Sequence, residues 1–307
     1  MTAPLLLFGG KGGVGKTTLA AATAWRLAQE GARVLLVSTD PAHSTADLLG
    51  ADLADQPTRV QGSLWALEID AAARARGYVD GILADAETSV SPEVMPALER
   101  HLALALQAPG TLEAALFDRI CDLITGAGED FDHVVFDTAP SGHTLRLLSL
   151  PDMLGSWVAG LRRQREKVTG LRSIWRNLAG REPDTEDPVL ARLRDRARRY
   201  RVVRERLQQD AAFLGVLTAE RLPIEETARL LALLSELEIP VDGLYLNRLL
   251  PAGGDDPYLQ ARRARQTEYE TEIRRRFAAW PITRVELAAG DIHDRTSLAK
   301  LAASLAP

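Results

Sequence analysis

The chain has 307 residues and a single cysteine, and its 37 Lys and Arg against 42 Asp and Glu give a formal net charge of -5. This charge excludes an overall positive field that would hold the protein on nucleic acid or on an anionic membrane. No apolar run approaches the roughly 18 residues of a membrane-spanning helix, and no basic residue precedes the first apolar run as in a signal peptide. Because the lone Cys121 excludes an internal disulfide framework, we expect a cytoplasmic protein without an integral membrane segment.

The predicted elements begin with a strand, a glycine-rich loop, a helix and a second strand, which is the opening of a parallel βαβ unit. Strands are predicted at 5–8, 33–38, 64–69, 133–136, 212–217, 243–247 and 277–280. Most of them are apolar on both faces, as central parallel strands must be. Two stretches rich in Ala, Leu, Arg and Glu predict helices. We therefore predict an α/β fold, a doubly wound and mostly parallel sheet in one domain over 1–307, with an inserted helical subdomain formed by about 71–129 and 152–210.

The loop after the first strand reads GKGGVGKT and fits the pattern G-x-x-x-x-G-K-[ST] of a P-loop, with a strand before it and a helix after it. Its glycines let backbone N–H groups surround a β-phosphate, and the positive end of the helix adds to the attraction. Lys16 is expected to neutralise the β and γ oxygens of ATP, and Thr17 to coordinate Mg²⁺. The residues predicted to bind nucleotide here are Gly10, Lys11, Gly12, Gly13, Val14, Gly15, Lys16, Thr17 and Thr18.

Lys11 is a second lysine at the start of this loop, and holding phosphate does not require it. With it, the run KGGVGKTT resembles the deviant P-loop of a group of dimeric ATPases. In that group the additional lysine reaches the phosphates of the nucleotide in the partner subunit. The resemblance implies that Lys11 is catalytic across a homodimer and that hydrolysis requires the dimer. The alternative is an exposed lysine on a mobile loop.

Two aspartates directly follow predicted strands, at the edge where ligands of open α/β sheets bind. Asp40 lies in STDPAHS after the second strand, and Asp137 begins DTAPSGHTLRLL after the strand at 133–136. We expect Asp40 to orient the attacking water and to contact the Mg²⁺ shell, and Asp137 to hold Mg²⁺ through water. The predicted metal set is Thr17, Asp40 and Asp137, and the predicted catalytic set is Asp40, Lys11 and Lys16.

The motifs DPAHS and DTAPSGHTLRLL closely resemble those of the arsenical pump-driving ATPase family, which includes the targeting ATPases for tail-anchored membrane proteins. The likeness continues at Glu220, although Ala219 stands where the family usually has proline. It implies that Glu220 and Asn247 contact the nucleotide and that Pro281 belongs to the adenine loop. For Glu220 and Asn247, a turn-forming role at a strand end is the alternative.

Three functions built on Mg²⁺-dependent ATP hydrolysis follow from this resemblance. The first is a homodimeric targeting factor that shields an apolar client helix or a membrane-protein partner, for which the apolar stripes at 153–161 and 168–178 are candidates, although such stripes are also typical of plain core. The second is the motor subunit of an arsenite or antimonite efflux pump. It is disfavoured because these soft ions bind several thiolates and the chain has one cysteine.

The third function is a partitioning-type ATPase that binds nucleic acid through the Arg-rich stretch 192–206. Asp195 and Glu205 interrupt this stretch, so a solvated helix face is the better interpretation and nucleic acid is an unexpected partner. The chain also lacks the C-x-x-C pair with which many targeting members clamp zinc between subunits. We therefore predict no zinc and a dimer that depends on nucleotide.

Overall fold

The computed structural model describes residues 3–39, 44–87, 95–106, 111–137, 188–253 and 256–305. The strands in this part of the chain are β1 Leu5–Gly10, β2 Val34–Ser38, β3 Thr58–Gln61, β4 Leu64–Glu68, β5 His133–Asp137, β6 Ala211–Thr218, β7 Val241–Leu249 and β8 Ile282–Glu286. The helices are α1 Lys16–Gln29, α2 Ser44–Leu49, α3 Ala71–Glu87, α4 Met95–Leu106, α5 Thr111–Gly126, α6 Pro188–Gln209, α7 Arg221–Glu236, α8 Pro257–Arg276 and α9 Arg295–Ser304.

The strands form one sheet in the order β3-β4-β2-β5-β1-β6-β7-β8. All neighbouring strands pair in parallel except β3 and β4, which are antiparallel. β1 lies between β5 and β6, and all six of its residues are buried. A strand that is covered on both faces has no polar side to present, which explains its sequence LLLFGG. The predicted doubly wound α/β fold is confirmed.

Helices cover both faces of the sheet and form two apolar cores. One core lies between the sheet and α1, α2 and α9, and it includes the alanine-rich inner side of α1. The other lies under α5, α6, α7 and the end of α8. Phe117 and Tyr200 bring α5 and α6 together in that second core. These two helices of the predicted insert therefore pack on the sheet itself.

The helical stretch before β5 is confirmed as helices: α3 packs against α4 and α5. The stretch after β5 ends in α6, and residues 138–187 lie outside the described part of the chain, together with the apolar stripes at 153–161 and 168–178. The division into one domain with a helical subdomain stays a prediction. In the described residues, no helix is both long enough and apolar enough to cross a membrane.

One predicted strand is wrong, and two observed strands were not predicted. The apolar run at 277–280 is not a strand, because Phe277 ends α8 and its N–H donates to the Ile273 carbonyl at 2.9 Å. The ring of Phe277 is buried in the core, which accounts for the apolar pattern. The last strand is β8, whose residues are largely exposed at the edge of the sheet. The short strand β3 was also not predicted, since it is half-exposed and pairs with β4 in a hairpin that reverses through Gly62 at φ 53°.

Candidate functional site

The phosphate loop lies where β1 ends and α1 begins, at the carboxyl edge of the sheet. Gly10 has φ 154° and approaches β6 so closely that a Cβ there would lie 2.1 Å from the Val216 carbonyl oxygen. Gly15 is the N-cap of α1 with φ 97° and, as a glycine, has no side chain with which to cap the helix. The first N–H groups of α1 lie at the positive end of the helix dipole and suit an anionic phosphate.

Lys16 is buried at the start of α1, with only 8% of its surface exposed. Its ammonium donates to the carbonyl oxygen of Lys11 at 3.2 Å, so the side chain lies along the inside of the loop. The next residue, Thr17, is half-buried. On the outer side of the loop, Gly12 and Gly13 are exposed. The loop therefore has an inner, cationic side and an outer side that faces solvent.

Asp137 ends β5 and is buried, with 1% of its surface exposed. The strand register pairs it with Phe8 on β1 and with Ser38 on β2, so it stands between the strand that leads into the phosphate loop and the strand that leads into Asp40. Thr39 closes this arrangement, because its N–H and hydroxyl donate to the Asp137 carbonyl oxygen at 3.2 and 3.1 Å. The three strand ends are thereby held together.

A hydroxyl from Thr17 and a carboxylate from Asp137 are oxygen donors of the kind that Mg²⁺ prefers. In the described part of the chain there is no group of three or more His, Cys, Asp or Glu that could hold a metal ion. Mg²⁺ usually takes one or two carboxylates and completes its shell with water and substrate phosphates. Asp40, the third predicted ligand, lies outside the described residues, as do His43 and His143 of the two motifs.

A pocket of about 460 Å³ opens beside the outer side of the loop. One wall is the loop itself from Lys11 to Val14, and the others come from the residues that follow β6, β7 and β8 and from α8. Because the carboxyl ends of parallel strands meet at the same edge, these segments converge here. The pocket is where the remainder of a nucleotide would extend from a phosphate bound in the loop.

The structure places one of the remaining predicted residues at this pocket and another against the phosphate loop. Glu220 precedes α7, lines the pocket and forms an ion pair with Arg262 of α8, with Nη2 and Oε1 3.7 Å apart. Asn247 lies near the end of β7, with 9% of its surface exposed, and its Nδ2 donates to the Val14 carbonyl oxygen at 2.8 Å. In this structure Asn247 therefore contacts the phosphate loop directly.

The structure does not bring Pro281 to the site. It precedes β8, and its carbonyl accepts from the N–H of Leu244 at 2.9 Å near the start of β7, at the opposite edge of the sheet. A contact between Pro281 and adenine is not supported by this placement. The residues after β8 that do line the pocket are Leu287 and Asp291. A correct placement of the last strand at 282–286 would have pointed to them.

Sequence reasoning also missed three pocket residues from the last third of the chain, namely Arg248, Arg262 and Gln266. No motif marks them. Arg262 and Gln266 lie on α8, whose residue pattern is that of an exposed helix, since Ile273 is the single buried residue along its length. Only the folding of α8 back onto the end of β7 gives them a place beside the loop.

The arginines of α6 that the structure describes are in part committed to neighbouring elements. Arg199 pairs with Asp118 and Asp122 on α5. Arg206 donates to the carbonyl oxygens at the end of α5 and pairs with Asp210. These contacts hold α6 on α5.

A glycine-rich phosphate loop between a central parallel strand and a helix, with a buried aspartate on the neighbouring strand, defines the class of P-loop nucleoside triphosphatases. Comparison with known families narrows this class. The family model described as anion-transporting ATPase matches residues 3–307. The chain belongs to this family, and it is an ATPase, converting ATP and water to ADP and phosphate.

Individual relatives agree with this assignment. A protein of Aquifex aeolicus provisionally named arsenical pump-driving ATPase 2 is 34% identical over 89% of this chain and 89% of its own length. The ATPase GET3B of Arabidopsis thaliana is 34% identical over 81% of this chain and 65% of its own length. The ATPase ASNA1 homolog of Dictyostelium discoideum is 28% identical over 95% of this chain and 86% of its own length.

Proposed function

We propose that the protein is a cytoplasmic, Mg²⁺-dependent ATPase that works as a nucleotide-gated homodimer and drives the targeting or shielding of an apolar client, such as a tail-anchored membrane protein. The observation that carries the dimer is the position of Lys11. Lys11 lies near the start of the loop, lines the pocket and is next to the exposed Gly12 and Gly13. A second subunit could therefore approach this side of the loop without first displacing another element of the described chain.

In this proposal each residue of the loop has a separate role. Lys16 neutralises the phosphate oxygens from inside the loop, while the N–H groups at the start of α1 bind the β-phosphate. Thr17 and Asp137 are the residues that would hold Mg²⁺, and the ion, when bound, would offset charge on the transferred phosphoryl group. Asp40 orients the attacking water, and Lys11 completes the partner's site.

The dimer is tested by the mass of the purified protein in solution without nucleotide, with ADP and with a non-hydrolysable ATP analogue. We expect wild type to dimerise with the analogue and Lys11→Ala to stay monomeric. Lys300→Ala is the matched control, since Lys300 is an exposed lysine on α9. A wild-type protein that is monomeric in all three states would overturn the role of Lys11 across subunits.

The client is tested separately, at the exposed apolar side chains of the described helical stretch. Leu104 on α4 and Leu112 on α5 are 66% and 45% exposed. A photo-crosslinking residue at either position should capture a synthetic apolar helix in the presence of ATP. Tyr258, which is 68% exposed at the start of α8, is the control position on another helix. Equal capture at all three positions would indicate nonspecific adsorption.

A second candidate is the motor subunit of an arsenite or antimonite pump, and it is favoured by the name of the Aquifex aeolicus relative. Cys121 argues against metalloid binding, because it is fully buried in the core under α5 and is the one cysteine of the chain. We expect arsenite to leave the ATPase rate unchanged. Strong activation by arsenite would favour the pump instead.

A further inference from the structure

Gln266 on α8 holds the strand end that bears Asn247, and we propose that Gln266 is a positioning residue for the phosphate loop. Although Gln266 also lines the pocket, it would act through a bulge at Arg248 and not through a contact with the nucleotide. This inference rests on the proposed nucleotide site and adds a residue from a helix that no motif marks. Three structural features connect Gln266 with the phosphate loop.

The first observation is an extra residue near the end of β7. Leu246 pairs with Arg284 and Leu249 pairs with Glu286, so three steps along β7 match two steps along β8. The extra residue gives Arg248 a φ of 59°, in the left-handed region that residues with a Cβ seldom adopt. Such bulges re-aim neighbouring side chains and occur often beside active sites.

The second observation is how the bulge is held. The Gln266 side-chain carbonyl accepts from the N–H of Leu250 at 3.0 Å, and its amide nitrogen donates to the carbonyl oxygen of Arg248 at 3.2 Å. A bulge removes its backbone groups from the regular ladder, and here one amide side chain satisfies a donor and an acceptor on its two sides. Gln266 of α8 therefore forms the hydrogen bonds that the ladder with β8 lacks at the bulge.

The third observation is what the bulge places. Asn247 immediately precedes Arg248 and donates to the Val14 carbonyl oxygen at 2.8 Å. Its Nδ2 lies so near the backbone of Gly15 that a Cβ there would be 2.4 Å away. A bulge re-aims the side chains beside it, so a change in the conformation of Arg248 would re-aim the neighbouring Asn247 side chain. The position of Asn247 on the loop thus depends on a conformation of Arg248 that Gln266 stabilises.

This arrangement predicts a particular pattern of rescue. Glycine adopts positive φ without a steric cost, whereas alanine does not. If Gln266 acts by holding Arg248 at φ 59°, Arg248→Gly should compensate for the loss of Gln266, and Arg248→Ala should not. Both variants lose the guanidinium, so any difference in affinity between them reflects only the backbone conformation at position 248. A residue that merely contributes to global stability would show no such difference.

The experiment measures the Kd of a fluorescent ADP analogue, kcat, KM and the melting temperature without nucleotide. Gln266→Met keeps the length of the side chain and removes both hydrogen bonds, and it should raise Kd and KM roughly tenfold with a smaller effect on kcat. Gln260→Met, at an exposed position of the same helix, should leave them unchanged. Adding Arg248→Gly to Gln266→Met should recover most of the lost affinity, and adding Arg248→Ala should recover none.

Should Gln266→Met fail to fold, Gln266→Glu removes only the bond to Arg248, because an ionised carboxylate donates none, and the same weakening is expected. Unchanged affinity in the Gln266 variants, or equal behaviour of the two Arg248 variants, would overturn the inference while wild type still binds nucleotide. Absence of nucleotide binding by wild type would instead refute the proposed function, and the inference with it.

Discussion

Lys16 donates from its ammonium to the carbonyl oxygen of Lys11, 3.2 Å away, so the two lysines of the phosphate loop meet within the loop itself. The ammonium of Lys16 is thereby held on the inner side, where a phosphate would bind. Lys11 contributes its backbone to this contact and leaves its own side chain for another role. Substitutions at the two lysines should therefore separate binding from hydrolysis.

Lys16→Ala should weaken nucleotide binding about a hundredfold. The ammonium is buried, and its charge-assisted bonds to phosphate contribute roughly a hundredfold in affinity. Titration calorimetry with ADP checks this. Lys11→Ala should bind ADP with nearly the wild-type Kd and lose hydrolysis. Equal loss of binding in both variants would show that Lys11 acts within its own subunit.

Asp40→Asn should preserve ATP binding and remove most turnover, because an amide orients water less well than a carboxylate. Steady-state kinetics together with ATP binding check this. Asp137→Asn should instead raise the Mg²⁺ concentration needed for half-maximal activity, since the buried carboxylate at the end of β5 is the proposed holder of the ion. Retained turnover in Asp40→Asn would show that another group positions the water.

Asp55→Ala should destabilise the fold by about 2 kcal/mol, because it leaves two arginines without their partner. Asp55 accepts from Arg74 on α3 and Arg119 on α5, and the hydrogen bond that Arg74 donates to Asp55 is the main cause that raises the pKa of Arg74. Urea unfolding measures the change. Asp52→Ala, at an exposed position of the same loop, is the control and should have little effect.

The N-cap of α9 should make stability depend on pH. The side chain and N–H of Ser297 donate to the Asp294 carboxylate and hold its pKa below the usual range. A lowered folded-state pKa gives stability that is present above the unfolded pKa of about 4 and is lost as the pH falls through the folded value. Asp294→Asn keeps the cap without the charge.

The measurement is the melting temperature of both proteins between pH 3 and pH 7. We expect wild type to exceed Asp294→Asn near pH 7 and the difference to disappear toward pH 3. Asp291→Asn is the matched control on the preceding loop, where the exposed carboxylate is not a helix cap. A difference between wild type and Asp294→Asn that is independent of pH would contradict this cause.

The sequence was sufficient for β1, the phosphate loop and α1 because local chemistry and burial there agree. The strand is apolar on both faces, the loop after it is rich in glycine, and a lysine begins the helix. Each of these elements can be predicted from the residues in chain order. The edge strand β8 was not readable, since a half-exposed strand carries a weak pattern while the C-terminal turn of α8 carries a strong apolar one. The adenine contact expected of Pro281 rested on the resemblance to the family and not on the placement of this strand.

The clamp by Gln266 could not be predicted for a different reason. Its partners are backbone groups of Arg248 and Leu250, and a sequence pattern does not identify hydrogen bonds to backbone groups. The motif residues Asn247 and Glu220 were found by resemblance, but their contacts with Val14 and Arg262 follow only from the folded chain. A structure is therefore needed to identify functional residues that act through main-chain atoms.

The place of β1 between β5 and β6 has a consequence for how such a chain can diversify. One neighbour of β1 is β5 and the other is β6, so the segment 138–210 between them begins and ends beside the strand that carries the phosphate loop. A change in the length of this segment need not alter the order of the described strands, because both of its ends are fixed at the strand that positions the loop.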